Sequence, residues 1–248
     1  MSNQMLIAPE LEWTIQLDSL PPNAIEMHIH SSEVSPCALA KADEVVRRCV
    51  EKGYAGMVMT DHFSGCHAAR LGDLSKIPWE NRVRFFLTGY KNAKNAAPAG
   101  FVVLLGMELR FEDGTDNDFL VYGFDESFLF EHPHFDQLDL RTFQKLKNKY
   151  DLTIVQAHPF RFDMTIVNPI LLDGVEVYNG NSHHDSHNAI ANAWADRYYG
   201  LLKSSGSDYH GGDTGDGREP GGLVFQEPVQ NMQQLIRQLR SGAYTLLQ

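Results

Sequence analysis

A chain of 248 residues can bury a sizeable core, and 43% hydrophobic against 21% charged residues is the ordinary balance of a globular protein. Its 32 acidic and 21 basic residues leave a net charge of −11, which repels phosphate backbones and, with no local basic patch, argues against nucleic acid as a partner. No apolar run reaches the length of a membrane span, no basic-then-apolar leader opens the chain, and Cys37, Cys49 and Cys66 lack C-x-x-C spacing, which fits a reducing cytoplasm rather than a disulfide framework or zinc ribbon.

Residues 1–23 read as an irregular or short-strand lead-in, stopped by Pro21-Pro22. Residues 24–31 read as a strand, in which Glu26, His28 and His30 share one face and Ile25, Met27 and Ile29 the other. Glu26 lies deeper on that face, where it is placed to hold the far nitrogens of the two histidines. A helix is predicted from Ser35 as N-cap and Pro36 as first helical residue to Val50, with Gly53 as its stop. Residues 55–62 form a second strand, in which Thr60 and His62 share a face and Asp61 takes the other as an orienting carboxylate. After a helical stretch over 79–96, a third strand at 101–108 ends on Glu108, and a fourth at 118–123 begins on Asp118. A helix over 138–150 leads to a fifth strand at 152–159, carrying His158. The sixth, 174–179, carries Glu176 and Asn179, and a helix over 188–199 precedes a seventh at 201–210 with Asp208 and His210. A last helix is predicted over 229–240.

Apolar strands alternating with amphipathic helices indicate an α/β protein with a parallel sheet covered by helices, and seven such strands predict closure into a barrel. With no repeat, low-complexity tract or linker, residues 1–248 are expected to form a single domain. In such barrels the working residues gather at the carboxyl ends of the strands. That is where His28, His30, His62, Glu108, His158, Asp208 and His210 fall, with Asp118 at the beginning of its strand. The donor set is imidazole and carboxylate without thiolate, which selects zinc, manganese or iron. So many donors exceed the needs of one tetrahedral ion, and two or three ions sharing carboxylates use them better. Closely spaced ions suit phosphoester hydrolysis, because they generate hydroxide from a bridging water and neutralise charge on phosphoryl oxygens.

The runs Glu26-Met27-His28-Ile29-His30-Ser31, Thr60-Asp61-His62, Gly106-Met107-Glu108, Ala157-His158-Pro159 and Gly206-Ser207-Asp208-Tyr209-His210 together resemble the PHP (polymerase and histidinol phosphatase) metal-dependent phosphoesterases. They occur in that family's order and span almost the whole chain. The resemblance implies a distorted seven-stranded (β/α) barrel with up to three metal ions, held by His28, His30, His62, Glu108, His158, Asp208 and His210. Two positions depart from the family pattern. An acidic or histidine ligand usually follows the first H-x-H by five or six residues, where this chain has Ser35 and Pro36; Glu33 is the available substitute. Asp118 stands where the family often has histidine. Both departures bear on the third ion.

Catalytic roles are expected of His158, Asp208, Glu108 and Arg161, the last on a loop over the metal face where it can clamp a phosphate bidentately. His67, Arg70, His132, His134, His183, His184 and His187 read mainly as polar loop residues, and Gly211–Gly217, lacking G-K-[ST], as a loop rimming the site. The expected activity is hydrolysis of a small phosphorylated substrate by a metal-bound hydroxide, with no covalent enzyme intermediate. A 3′-end nuclease and a non-catalytic metal-binding regulatory domain are the alternatives.

Overall fold

Each apolar run foreseen in the sequence forms a strand, but the first three change partners part-way along. The computed structural model describes residues 20–68, 71–212 and 220–248. The lead-in over 1–19, the His67 side chain, Arg70 and residues 213–217 of the glycine-rich run lie outside the described residues, and so do the readings placed on them.

Residues 24–31 give β1 (Ala24–Glu26), after which only a single parallel bridge, Ile29 to Tyr209, continues the strand. Residues 55–62 split into β2 (Gly56–Met59) and β3 (His62–Phe63), and residues 101–108 into β4 (Val102–Leu105) and β5 (Met107–Arg110). The remaining strands are β6 (Asp118–Tyr122), β7 (Thr153–Gln156), β8 (Gly174–Asn179), β9 (Leu202–Gly206), β10 (Gly222–Phe225) and β11 (Tyr244–Leu247). The order β11-β10-β1-β2-β4 makes one sheet and β3-β5-β6-β7-β8-β9 the other. Single hydrogen bonds carry the ladder across the breaks: Thr60 N–H to Ile29 C=O, Gly106 N–H to Met59 C=O, and Glu108 N–H to Asp61 C=O.

The expected α/β class is present, but a closed sheet of seven parallel strands is not found among the described residues. Among the described residues, eleven strands form two mixed sheets, and four pairings (β1–β10, β10–β11, β5–β6, β6–β7) are antiparallel. Residues 111–117, joining β5 to β6, are too few for the crossover of about a dozen residues that a parallel connection needs. The strands β10 and β11 were not foreseen.

The helices are α1 (Ala42–Lys52), α2 (Gly65–Ala68), α3 (Trp79–Ala96), α4 (Glu126–Glu131), α5 (Leu140–Tyr150), α6 (Asn188–Ala195) and α7 (Met232–Ser241). Helix α1 ends at Gly53 as expected, in the left-handed region at φ 88°. It starts six residues later than the Pro36 reading. The Glu33 carboxylate accepts the Ala42 N–H, and Leu39 and Ala40 donate to the His210 carbonyl, so residues 36–41 are drawn toward the loop after β9 instead of into the helix. Beneath the strand ends lies an inner apolar layer in which Ile25, Met27, Val58, Leu120, Val155 and Leu223 are each 0% exposed. Each such side chain contributes ~1.5–3 kcal/mol on burial. Outside the strands, Val83, Phe86 and Leu87 of α3 pack with Phe63, Leu109 and Phe119. At Gly89 this helix comes so close that a Cβ would collide with the Asp61 carboxylate and the Ser31 hydroxyl. No helix of the described residues is long and apolar enough to cross a membrane.

Candidate metal centre

The two histidines after β1 are fully buried, and each ring is held by a different element. His28 Nδ1 lies 2.9 Å from Glu176 Oε1 on β8. The other oxygen of Glu176 accepts the His158 N–H at 2.9 Å and the Asn179 side-chain N–H at 2.9 Å. His30 Nδ1 lies 3.3 Å from Ser35 Oγ, which donates to Asp61 Oδ1 at 2.8 Å. Asp61 also accepts the Ser31 N–H and hydroxyl, each at 2.7 Å, so it orders the loop that follows the histidines.

Two sequence readings are corrected here. Glu26 does not hold the imidazole rings; its carboxylate accepts the backbone N–H groups of His28 and Ser207 and the Tyr54 hydroxyl, and so ties β1 to the end of β9. Ser35 caps no helix. The ring-holding carboxylate is Glu176, whose one sequence signal is a lone acidic residue between Val175 and Val177 in an apolar strand.

The far ring nitrogens converge on two carboxylates. Glu108 Oε1 lies 2.9 Å from His158 Nε2 and 3.4 Å from His28 Nε2, while Oε2 lies 2.9 Å from His62 Nδ1 and 3.2 Å from His30 Nε2. Asp208 Oδ1 lies 3.4 Å from His28 Nε2, 3.2 Å from His30 Nε2 and 3.4 Å from His210 Nδ1. Its Oδ2 accepts from Arg161 at 2.8 Å and from the side-chain amides of Asn179 and Asn181. His158 and Asp208 both sit in the left-handed backbone region, at φ 27° and 49°, a strained conformation for non-glycine residues that clusters at working sites. Gly206 lets β9 approach closely, because a Cβ there would collide with that of His28.

Burial alone would push the Glu108 and Asp208 carboxyls up, but the surrounding imidazoles, with Arg161 beside Asp208, hold both well below the usual range. Burial likewise opposes the charged imidazoles, yet Glu176, Asp208 and Glu108 overcome it and raise His28 well above its ordinary value. Burial lowers His30, but the Asp208 and Glu108 carboxylates against its ring outweigh that and raise it to about 9. His210 goes the other way, to about 3, through burial and the neighbouring His30.

This donor set fits metal ions. His28 Nε2, His30 Nε2, Glu108 Oε2 and Asp208 Oδ1 are buried with no hydrogen-bond partner, although all point into one small space. Leaving a buried polar atom unpaired costs about 1–3 kcal/mol, and a cation at their common focus would satisfy all of them. Three groupings place their donor atoms within 4.8 Å of one another: His28, His30, Glu108 and Asp208; His30, His62 and His210; and His62, Glu108 and Asp118.

Two expected ligands are otherwise engaged. Glu33 is in none of these groups; its carboxylate accepts the Ala42 N–H and the Asn92 side chain. Asp118 is near the cluster, but Arg110 holds both of its oxygens. Arg161 lies beside Asp208, where it also donates to Asn179 and Ser186. His183, His184 and His187 are exposed.

A family model for the PHP domain matches residues 26–240. No curated protein matches the sequence. Among solved structures, a two-domain protein from Bacteroides vulgatus containing a predicted PHP-like metal-dependent phosphoesterase superposes with a TM-score of 0.62 at 17% identity, over 90% of this chain and 64% of its own. PsfC from Pseudomonas syringae gives 0.53 at 14% identity over 76% of each chain. Endonuclease Q, in complex with a 27-mer duplex bearing an abasic lesion at the active site, gives 0.54 at 14% identity, over 88% of this chain and 56% of its own. The chain thus spans less than two thirds of the first and third of these, and the likeness is one of fold. With an endonuclease among the similar folds, the expectation against nucleic acid finds no support. The match over most of the chain, on strands that bring the sequence motifs to one cluster, makes this protein a member of the PHP domain family.

Proposed function

We propose that the protein hydrolyses a phosphoester, either a phosphomonoester or a small phosphodiester, at a centre of two or three divalent ions of zinc, manganese or iron. The observation that carries this reading is the focus of four buried, unpartnered donor atoms from His28, His30, Glu108 and Asp208. The ions would be held by these residues with His62, His158 and His210, while Glu108 presents one oxygen toward His28 and His158 and the other toward His30 and His62. Bound there, divalent ions supply a water of lowered pKa and neutralise charge on the phosphoryl oxygens.

The chain's own residues orient that centre. Glu176 fixes the tautomer and tilt of His28, and Asn179 and Asn181 hold Asp208 through its Oδ2. Arg161 adds a fixed positive charge beside Asp208, suited to a phosphoryl oxygen of the substrate. The Ile29–Tyr209 bridge and the Asp208 N–H to His28 C=O bond support reading the two sheets as one distorted barrel whose seam lies at the site.

The test is elemental analysis of purified protein combined with a panel of phosphomonoesters, phosphodiesters and short DNA. Expected are at least two ions per chain, activity lost to chelator and restored by divalent metal, and solvent oxygen entering the released phosphate in a single turnover. Cleavage confined to DNA ends would favour the nuclease alternative. Ions without turnover on any phosphoester would favour a regulatory module, and a trapped phosphorylated side chain would refute direct attack by water.

A further inference from the structure

One of the three donor groupings already contains a cation belonging to the protein. Asp118 lies within reach of His62 and Glu108, but Arg110 Nε donates to its Oδ1 at 2.8 Å and Nη2 to its Oδ2 at 2.6 Å. This is a two-pronged guanidinium–carboxylate pair, in which planarity adds geometric selectivity to charge. Backbone register enforces it, because Arg110 and Asp118 are directly opposed across the antiparallel β5–β6 ladder. Arg110 Nη1 also reaches Asp116 at 3.3 Å. An arginine stays charged at any accessible pH, so a metal ion using Asp118 would have to displace it or sit against a positive charge.

The other candidate for a third ion's ligand is equally committed. Both oxygens of Glu33 accept the N–H of Ala42, at 3.2 and 3.0 Å, which places that carboxylate at the start of α1. What is left is a four-donor group (His28, His30, Glu108, Asp208) and a second position at His62 and His210, where Glu108 Oε2 lies 2.9 Å from His62 Nδ1. His30 belongs to both groupings, but its one inward nitrogen can serve a single ion.

We infer that the centre takes two metal ions, and that the Arg110 guanidinium, fixed on Asp118, occupies the place of a third. This rests on the reading of the cluster as a metal centre. It makes the positive charge at that corner a permanent feature of the chain, independent of metal supply.

The experiment is a count of ions, independent of turnover. The full chain is stripped with chelator and titrated with cobalt(II), read by visible absorption and by elemental analysis after desalting. The wild type should saturate at two ions per chain. Arg110→Met frees Asp118, and its count should rise to three; adding Asp118→Asn should return it to two. Three ions in the wild type, or two in Arg110→Met with Asp118 intact, overturns the inference and leaves the metal centre standing. One ion in the wild type overturns the count of two, and none overturns the metal centre itself. Should Arg110→Met fail to fold, Arg110→Lys keeps the charge and should still stop at two, a third ion again counting against the proposal.

Discussion

The Arg82–Asp136 pair and the histidine–carboxylate cluster are both buried charge, built in opposite ways. Arg82 Nη2 meets Asp136 Oδ2 at 2.6 Å, with the two side chains 5% and 0% exposed and the guanidinium 5.0 Å from the Trp79 ring centre. One cation answers one anion; Arg82 Nε and Asp136 Oδ1 are also buried without a hydrogen-bond partner, but they belong to a pair of opposite charges lying beside the Trp79 and Phe63 rings rather than to a convergent set of donors. In the cluster, imidazoles and carboxylates crowd to 3.2–3.4 Å, and four of their atoms still lack a hydrogen-bond partner. Charge that is balanced within the protein serves the fold. Donors that converge without a partner mark a place for something the chain does not itself supply.

The largest expected effects separate the two regions. Asp208→Ala and His158→Ala should each abolish most hydrolysis while leaving the circular dichroism spectrum unchanged, since both residues sit at strand ends above the inner apolar layer. Near-normal turnover in either variant would remove that residue from the site. Arg82→Ala should do the reverse: a loss of about 3–5 kcal/mol of stability in denaturant unfolding, from stranding Asp136, with the ion count unchanged. If Arg82→Ala instead lost metal at full stability, the distinction between the regions would collapse.

Smaller effects sharpen the cluster itself. Glu176→Gln keeps the shape of the side chain but removes the charge that holds His28, and should weaken metal affinity about 10–100-fold in chelator competition. Unchanged affinity would show that His28 is oriented by packing alone.

The pH dependence follows from His30, raised to about 9 in the metal-free protein. Its protonated form is favoured by folding, so that contribution is fully present below the ordinary imidazole value and is lost as pH climbs through about 9. A metal ion needs the neutral ring. Between these limits affinity should therefore rise with pH, by up to about tenfold per unit, while the melting temperature of the stripped protein falls. Affinity independent of pH in that window would exclude His30 as a ligand.

The sequence by itself singled out most of the residues that gather in the cluster and the apolar run to which each belongs. Apolar runs mark the strands, alternation assigns His28 and His30 to one side and Asp61 to the opposite side from His62, and the ordered motifs identify the family. Side-chain period describes a strand's own faces but says nothing about its neighbour across the ladder. Only the tertiary structure decided that Glu176, 148 residues from His28, holds that ring, or that Arg110 opposes Asp118 and claims it. It also sent Glu33 to the start of α1, freed Ser35 to bridge His30 and Asp61, and split the strands at Thr60–Asp61 and Gly106 so that their ends turn to new partners. The physical reason is common to all of these. A polar side chain near a buried cluster binds whichever donor, acceptor or charge the packing brings within about 3 Å, and that choice is made between segments far apart in the chain.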